Sequence, residues 1–323
     1  MSRANWRCDG KEGKAMRWLI VGAMGMVAGI LGWSGFRPLA SASSELPKWQ
    51  KEALAIWEAL TAEQRQKVLQ PFDAPFRREI RLPGGPRPGI LIGTLNANQQ
   101  ALVVQLVRVL CSEKGAEKVL ALMRQEQQVP EPRGIGSYTL TFFGDPKGEP
   151  FAVRIAGHHL TLLRSRGDEW LGPVVLGSNP HLNNTKDWLW DGEETLAVQL
   201  WQALTDEQRK QAHDPTTHPD AFRGVPSEFA GLPVQEMSGT QKRLVRQLVE
   251  ERLSVLANDW AQEFREALKA EGGIEALTLA YAGNPVRPIA QGGRFAYRLR
   301  GRTFRMEFWN WHGHMHLTLE ARR

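Results

Sequence analysis

The sequence predicts an α+β protein built from two tandemly duplicated units. Each unit is a set of helices followed by an antiparallel β hairpin sheet, and the two pack with pseudo-two-fold symmetry. Three observations carry this expectation. Blocks of sequence recur in the same order at similar spacings, each copy opens on helix-capping signals, and each closes on segments that alternate with period two.

The repeat appears in four blocks. WEALTAEQR (57–65) and WQALTDEQR (201–209) agree at seven of nine positions, at an offset of 144. QQALVVQLV (99–107) and QKRLVRQLV (241–249) agree at six of nine. Gly134, Ile135, Thr139, Leu140, Gly144 and Pro146 then answer to Gly273, Ile274, Thr278, Leu279, Gly283 and Pro285, and FAVRIAG (151–157) answers to FAYRLRG (295–301). The predicted organisation is a signal peptide over 1–42, a first unit over 43–190 and a second over 191–323.

Within each unit, Thr61 with Gln64, or Thr205 with Gln208, is a capping-box pair that opens a helix. Asn96 and Ser238 open the next one, whose pattern predicts long helices near 99–127 and 241–270. Gly134 and Gly272-Gly273 end the helical regions. The segments that follow, such as SYTLTFFGDP, FAVRIAGHHLTLL, RFAYRLRGRTFRMEFWNW and HMHLTLEA, read as strands by alternation and by β-branched and aromatic content.

Composition bounds the function. Of 323 residues, 42% are apolar and 24% charged, which excludes a disordered chain or a fibre. The net charge is +6, but residues 1–42 hold six basic and two acidic residues, leaving +2 for the rest. No basic stripe with interleaved aromatics follows, so nucleic acid is not an expected partner. Arg3 to Arg17 form a positive segment, Trp18–Trp33 is an uncharged run of 16 residues, and Ala40-Ser41-Ala42 is a small-x-small site. That order predicts a secretory signal peptide cleaved after Ala42 and an exported protein, periplasmic or extracellular, with no membrane attachment after cleavage. A retained N-terminal anchor is the alternative. Cys111 is then the remaining cysteine, read as a buried, inert thiol.

Five of the eight histidines fall in two strand segments, Gly157-His158-His159-Leu160 and His312-Gly313-His314-Met315-His316. On a strand, residues i and i+2 share a face, so His314 and His316 point together while Met315, Leu317 and Leu319 face the core. Arg305, Glu307 and Trp309 of the preceding strand share the histidine face. Two imidazoles at this spacing chelate a transition metal when further ligands join them, here His158 and His159. Glu307 is the candidate catalytic base. A metal-free polar cleft and purely structural histidines remain alternatives. By the repeat, His158 and His159 answer to Arg302 and Thr303. His213 and His218 lie in a polar loop and are assigned no role. Gly177-Ser178-Asn179-Pro180 reads as a turn. Trp188 and Trp190 are candidates to line a cleft for a saccharide or other small-molecule ligand. No G-x-S-x-G, H-E-x-x-H, P-loop or C-x-x-C motif occurs.

The GHHL at 157–160, the G-x-N-P at 177–180, LTDEQR at 204–209, the Q-x-x-L-V-x-Q-L-V helix, the FAYRLRG strand and the late H-x-H resemble DUF3500, a bacterial family of uncharacterised proteins. The resemblance covers roughly residues 50–323 and implies an exported protein, with no assigned reaction. It also implies a further aromatic and acidic tail where this sequence closes on Arg322-Arg323. Two functions follow as expectations. One is a metal-dependent hydrolase or oxidoreductase using zinc, copper or iron at a histidine site between the halves. The other is a non-enzymatic exported ligand-binding module.

Overall fold

The computed structural model describes residues 45–80, 87–125, 133–178, 189–214, 230–285, 294–311 and 314–323. The predicted signal segment lies outside them. Leu46–Arg323 forms one compact unit. Among the described residues there are eight α-helices and an 11-stranded sheet, and no helix is long and apolar enough to cross a membrane.

The first stretch runs α1 (Lys48–Ala59), α2 (Ala62–Val68), β1 (Leu69–Gln70), β2 (Ile90–Leu91), α3 (Ala97–Leu110), α4 (Glu113–Gln125), β3 (Thr139–Gly144), β4 (Phe151–Ala156), β5 (Leu160–Arg166) and β6 (Trp170–Ser178). The second runs α5 (Asp191–Ala203), α6 (Asp206–Ala212), β7 (Leu232–Pro233), α7 (Gly239–Leu253), α8 (Asn258–Glu271), β8 (Thr278–Asn284), β9 (Arg294–Arg300), β10 (Arg305–Trp311) and β11 (His314–Arg322).

All four predicted caps form. Thr61, Asn96, Thr205 and Ser238 each accept from the backbone N–H three residues on, and Gln64, Gln99, Gln208 and Gln241 reach back to the cap. The glutamines also tie helices together. Gln99 Nε2 donates to Gln64 Oε1 and to the Ala59 carbonyl, both at 2.8 Å. Gln241 Nε2 does the same to Gln208 Oε1 (2.8 Å) and the Ala203 carbonyl (2.7 Å). These bonds satisfy a helix end that would otherwise be buried with orphaned groups.

The two long helices expected from the pattern are each broken in two. Cys111 is extended, and Ser112 Oγ caps the new start by accepting from Gly115 N at 3.0 Å. The break pairs with its counterpart between α7 and α8: Ser112 N donates to the Val255 carbonyl and Ala257 N to the Leu110 carbonyl. Backbone groups freed by ending one helix are used by the end of the other, which periodicity within a single segment cannot reveal. Cys111 is buried there, and burial pushes its thiol up to about 12.

The sheet order is β1-β3-β4-β5-β6-β11-β10-β9-β8-β7, with β2 also on β3. β3–β6 and β8–β11 are antiparallel meanders, joined by the antiparallel pair β6·β11. The sheet is therefore continuous past residue 190 instead of two separate hairpin sheets. One sheet face packs with the helices into a single core that includes Phe142, Ile155, Leu162, Leu176, Tyr297, Phe308, Leu317 and Leu319. Trp190 is 3% exposed within that core, so it lines no open cleft, and Trp188 lies outside the described residues. The opposite face is polar near its middle. Among the described residues it carries a small apolar cluster at one side, Phe143, Ala152 and Leu163 with Ala74.

A candidate metal centre of convergent imidazoles

The β4–β5 connection is a two-residue turn. Gly157 N donates to the Leu160 carbonyl at 2.8 Å, which leaves His158 and His159 at the tip. Position 157 must be glycine because a Cβ there would lie 2.3 Å from Tyr138 Cδ1. The other histidines come from β11, as alternation predicts: Met315, Leu317 and Leu319 are buried in the core while His314 and His316 face the other way.

Register then brings the segments together. His316 pairs with Trp309 on one side and Gly177 on the other, and Leu160 pairs with Leu176, so His159 lies beside Gly177 across the strands. Gly177 is the gap that lets two rings close over the sheet. A Cβ at 177 would sit 3.0 Å from His316 Cδ2, 3.3 Å from His159 Cδ2 and 2.5 Å from the Met315 carbonyl oxygen. Read from sequence, Gly177 and Ser178 belong to a turn; in the structure they are β6, and Gly177 is a wall of the site. Asn179 and Pro180 lie outside the described residues.

The nitrogens converge. His159 Nε2 lies 3.0 Å from His314 Nε2, and His314 Nε2 lies 3.2 Å from His316 Nε2. His158 lies beside His159 with ring centroids 3.9 Å apart and planes tilted by 34°. One nitrogen from each of His158, His159 and His314 falls within 4.8 Å of the others, a set that could hold a metal ion. Two ligands at about 2.0–2.1 Å from a tetrahedral ion lie about 3.3 Å apart, so the observed spacings fit a shared ion. His316 extends the set through its own 3.2 Å contact.

Burial holds the His316 imidazole well below its ordinary range, and His159, His314 and His158 push the same way. The neutral ring is the form with a lone pair to give a metal. Trp309, which alternation places on the histidine face, stacks on His316 at 5.3 Å with planes 22° apart, and meets His314 edge-on at 5.4 Å. Its only sequence signal is the shared parity of 307, 309 and 311.

Glu307 lies on the same face, one rung further along, opposite Thr318 and Arg298. Its carboxylate is ion-paired with Arg300 and has Arg298 Nε at 3.8 Å. Behind β10 and β11, on the core side, Arg252 is fully buried. It donates to Glu193, to the Thr318 carbonyl at 2.5 Å and to the Glu307 carbonyl at 3.0 Å. That network pins the strand pair carrying the histidines. His213 ends α6 away from this site, and His218 and His312 lie outside the described residues.

No curated protein and no solved structure matches the chain. A family profile described as a protein of unknown function does match, over residues 43–321, and so the chain belongs to the DUF3500 family.

Proposed function

We propose that the protein holds a transition metal between His158, His159, His314 and His316 and uses it to activate a water for hydrolysis. The observation that carries this reading is the pair of Nε2–Nε2 contacts at 3.0 and 3.2 Å. A ring nitrogen is either a donor or an acceptor. A single hydrogen cannot satisfy three converging nitrogens with good geometry, whereas three lone pairs aimed at one cation can. An all-imidazole set suits zinc or copper better than iron, whose oxygen-activating sites draw on a carboxylate. Glu307, the carboxylate that shares this face, is ion-paired with Arg300, so in this reading it serves as a counter-ion one rung away and not as the base. Three of these four histidines at the metal would leave a position for a water, whose pKa zinc would lower to about 7.

The same reading includes a duplicated origin. The sequence offset of 144 carries the pair Val174–Leu319 onto Thr318–Val175, which is the neighbouring pair in the β6·β11 register. A pseudo-dyad through that point relates the first meander to the second. It also relates His314 and His316 to Trp170 and Gly172, so the centre exists once. One copy supplies the β4–β5 turn and the other supplies β11. Export remains a proposal supported by the charge and apolar pattern of residues 1–42.

Elemental analysis of untagged mature protein tests the metal. About one equivalent is expected in the wild type and none in His314→Ala/His316→Ala that retains its fold. Equal metal content in both would remove the centre, and no metal in either would favour the non-enzymatic binding module.

A further inference from the structure

A polar cleft opens at the end of β5 remote from the histidines. His159 precedes β5 and Arg164 lies five residues on, about 16 Å away at ~3.3 Å per residue. Arg164 shares its side of the sheet with Leu160 and Leu162, which belong to the core. The imidazoles of β11 stand on the other side. The start of α1, the start of α8 and the β5–β6 turn wall the cleft, and Arg164 lies in its lining. Its volume is about 470 Å³, within the ~300–1,000 Å³ of ordinary small-molecule sites.

Arg164 is 2% exposed and rigidly held. Its guanidinium carbon lies 5.3 Å from the Trp49 ring and 5.5 Å from the Trp260 ring. Nη1 and Nη2 donate to Asp259 at 3.3 and 2.7 Å, and Nη2 donates also to Glu263 at 3.3 Å. Nε is buried and has no hydrogen-bond partner. With both Nη groups engaged, the fork has one donor in want of an acceptor. A bidentate carboxylate or phosphate calls for two, whereas a hydroxyl or ring oxygen calls for one.

The charges point the same way. Four carboxylates line the cleft. Glu149 is paired with Arg166, Asp168 with Arg77, Asp259 with Arg164, and Glu263 with Arg164 and Arg323. Four negative charges thus meet four positive ones. A charged ligand finds no net field here and competes with a pair already made. A neutral ligand rich in hydroxyls breaks none, because an ionised carboxylate has lone pairs to spare for O–H donors. The side chains of Asp259 and Glu149 are 60% and 47% exposed, so a ligand can reach them. Pro47 and Trp49 add apolar lining for a C–H face.

We propose that this cleft binds a small neutral saccharide, which donates hydroxyls to the Asp259 and Glu149 carboxylates and turns an oxygen to Arg164 Nε. The site uses no metal and does not rest on the imidazole centre.

D-glucose and D-galactose are the neutral probes, and D-glucuronate and D-galacturonate their matched anions, each titrated into the full mature protein by ligand-observed NMR. At least one hexose is expected to saturate the protein and to bind about tenfold or more tightly than its uronate. Asp259→Asn and Glu149→Gln alter exposed rim carboxylates and leave one positive charge in excess. Each should weaken the hexose about tenfold, as expected for loss of a hydrogen bond to a charged group, and improve the uronate relative to it. His314→Ala/His316→Ala should bind the hexose as the wild type does. Two uronates that bind as well as their hexoses, or no saturation by either hexose, would overturn the proposal. So would a hexose-to-uronate ratio unchanged in both folded rim variants, which would place the binding elsewhere. Loss of hexose binding in the folded histidine variant would also overturn it, by moving the ligand to the imidazoles, while metal content alone decides the metal centre.

Discussion

Replacing Gly177 with alanine tests whether the imidazole centre depends on a missing side chain. The new Cβ would lie 2.5 Å from the Met315 carbonyl oxygen, 3.0 Å from His316 Cδ2 and 3.3 Å from His159 Cδ2. The first contact forces the β6·β11 pair apart, and overpacking of this kind costs about 1–3 kcal/mol. The other two push both rings off their positions by a few tenths of an ångström. Metal–ligand distances tolerate about ±0.2 Å, and disturbing the groups that orient ligands costs about 10–100-fold in metal affinity. Gly172→Ala is the control on the same strand: its Cβ would lie 2.8 Å from the Leu319 carbonyl at φ +79°, against backbone and not against imidazole. Urea unfolding would report stability, and competition with a chromophoric chelator would report zinc affinity. Both variants should lose stability, and Gly177→Ala alone should lose zinc affinity. If Gly177→Ala binds zinc within twofold of the wild type, the glycine only spaces backbones and the reasoning fails.

Three further outcomes follow from the same geometry. Zinc at a hundredfold excess over its Kd should stabilise the protein by about 2.7 kcal/mol, or about 5 °C in Tm for a body of this size, and a chelator should reverse it in a thermal scan. Stability of the metal-free protein should fall as pH drops below about 6.5, the ordinary histidine value, because His316 stays neutral in the fold while the unfolded chain takes up the proton. The slope should approach about 1.4 kcal/mol per pH unit for this residue and flatten in His316→Gln, as read from denaturant midpoints across pH 5 to 8. Arg252→Met should cost about 3–5 kcal/mol by stranding the Glu193 carboxylate, whereas Arg252→Met with Glu193→Leu should recover most of it; an additive double variant would show that the pair is not coupled.

Local signals were legible in the sequence because their causes are local. Thr61–Gln64 and Ser238–Gln241 lie three residues apart, so each cap can be seen in one glance along the chain. The parity that sends His314 and His316 to one face and Met315 to the other needs only the period of a strand. Alternation marked the strand segments, and the sheet sets β3–β6 and β8–β11 side by side in order along the chain. The break at Cys111-Ser112 was not legible, because the groups that compensate it belong to Ser254–Ala257, more than a hundred residues away.

By itself, then, the sequence determined the helix starts, the strand faces and the candidate ligands His158, His159, His314 and His316. Tertiary structure alone decided that β6 pairs with β11 in the register that sets Gly177 between His159 and His316. It also placed Trp309 against the rings and gave Glu307 to Arg300. Register across a sheet depends on side chains from strands far apart in the chain, and a slip of one residue would send every imidazole of β11 into the core.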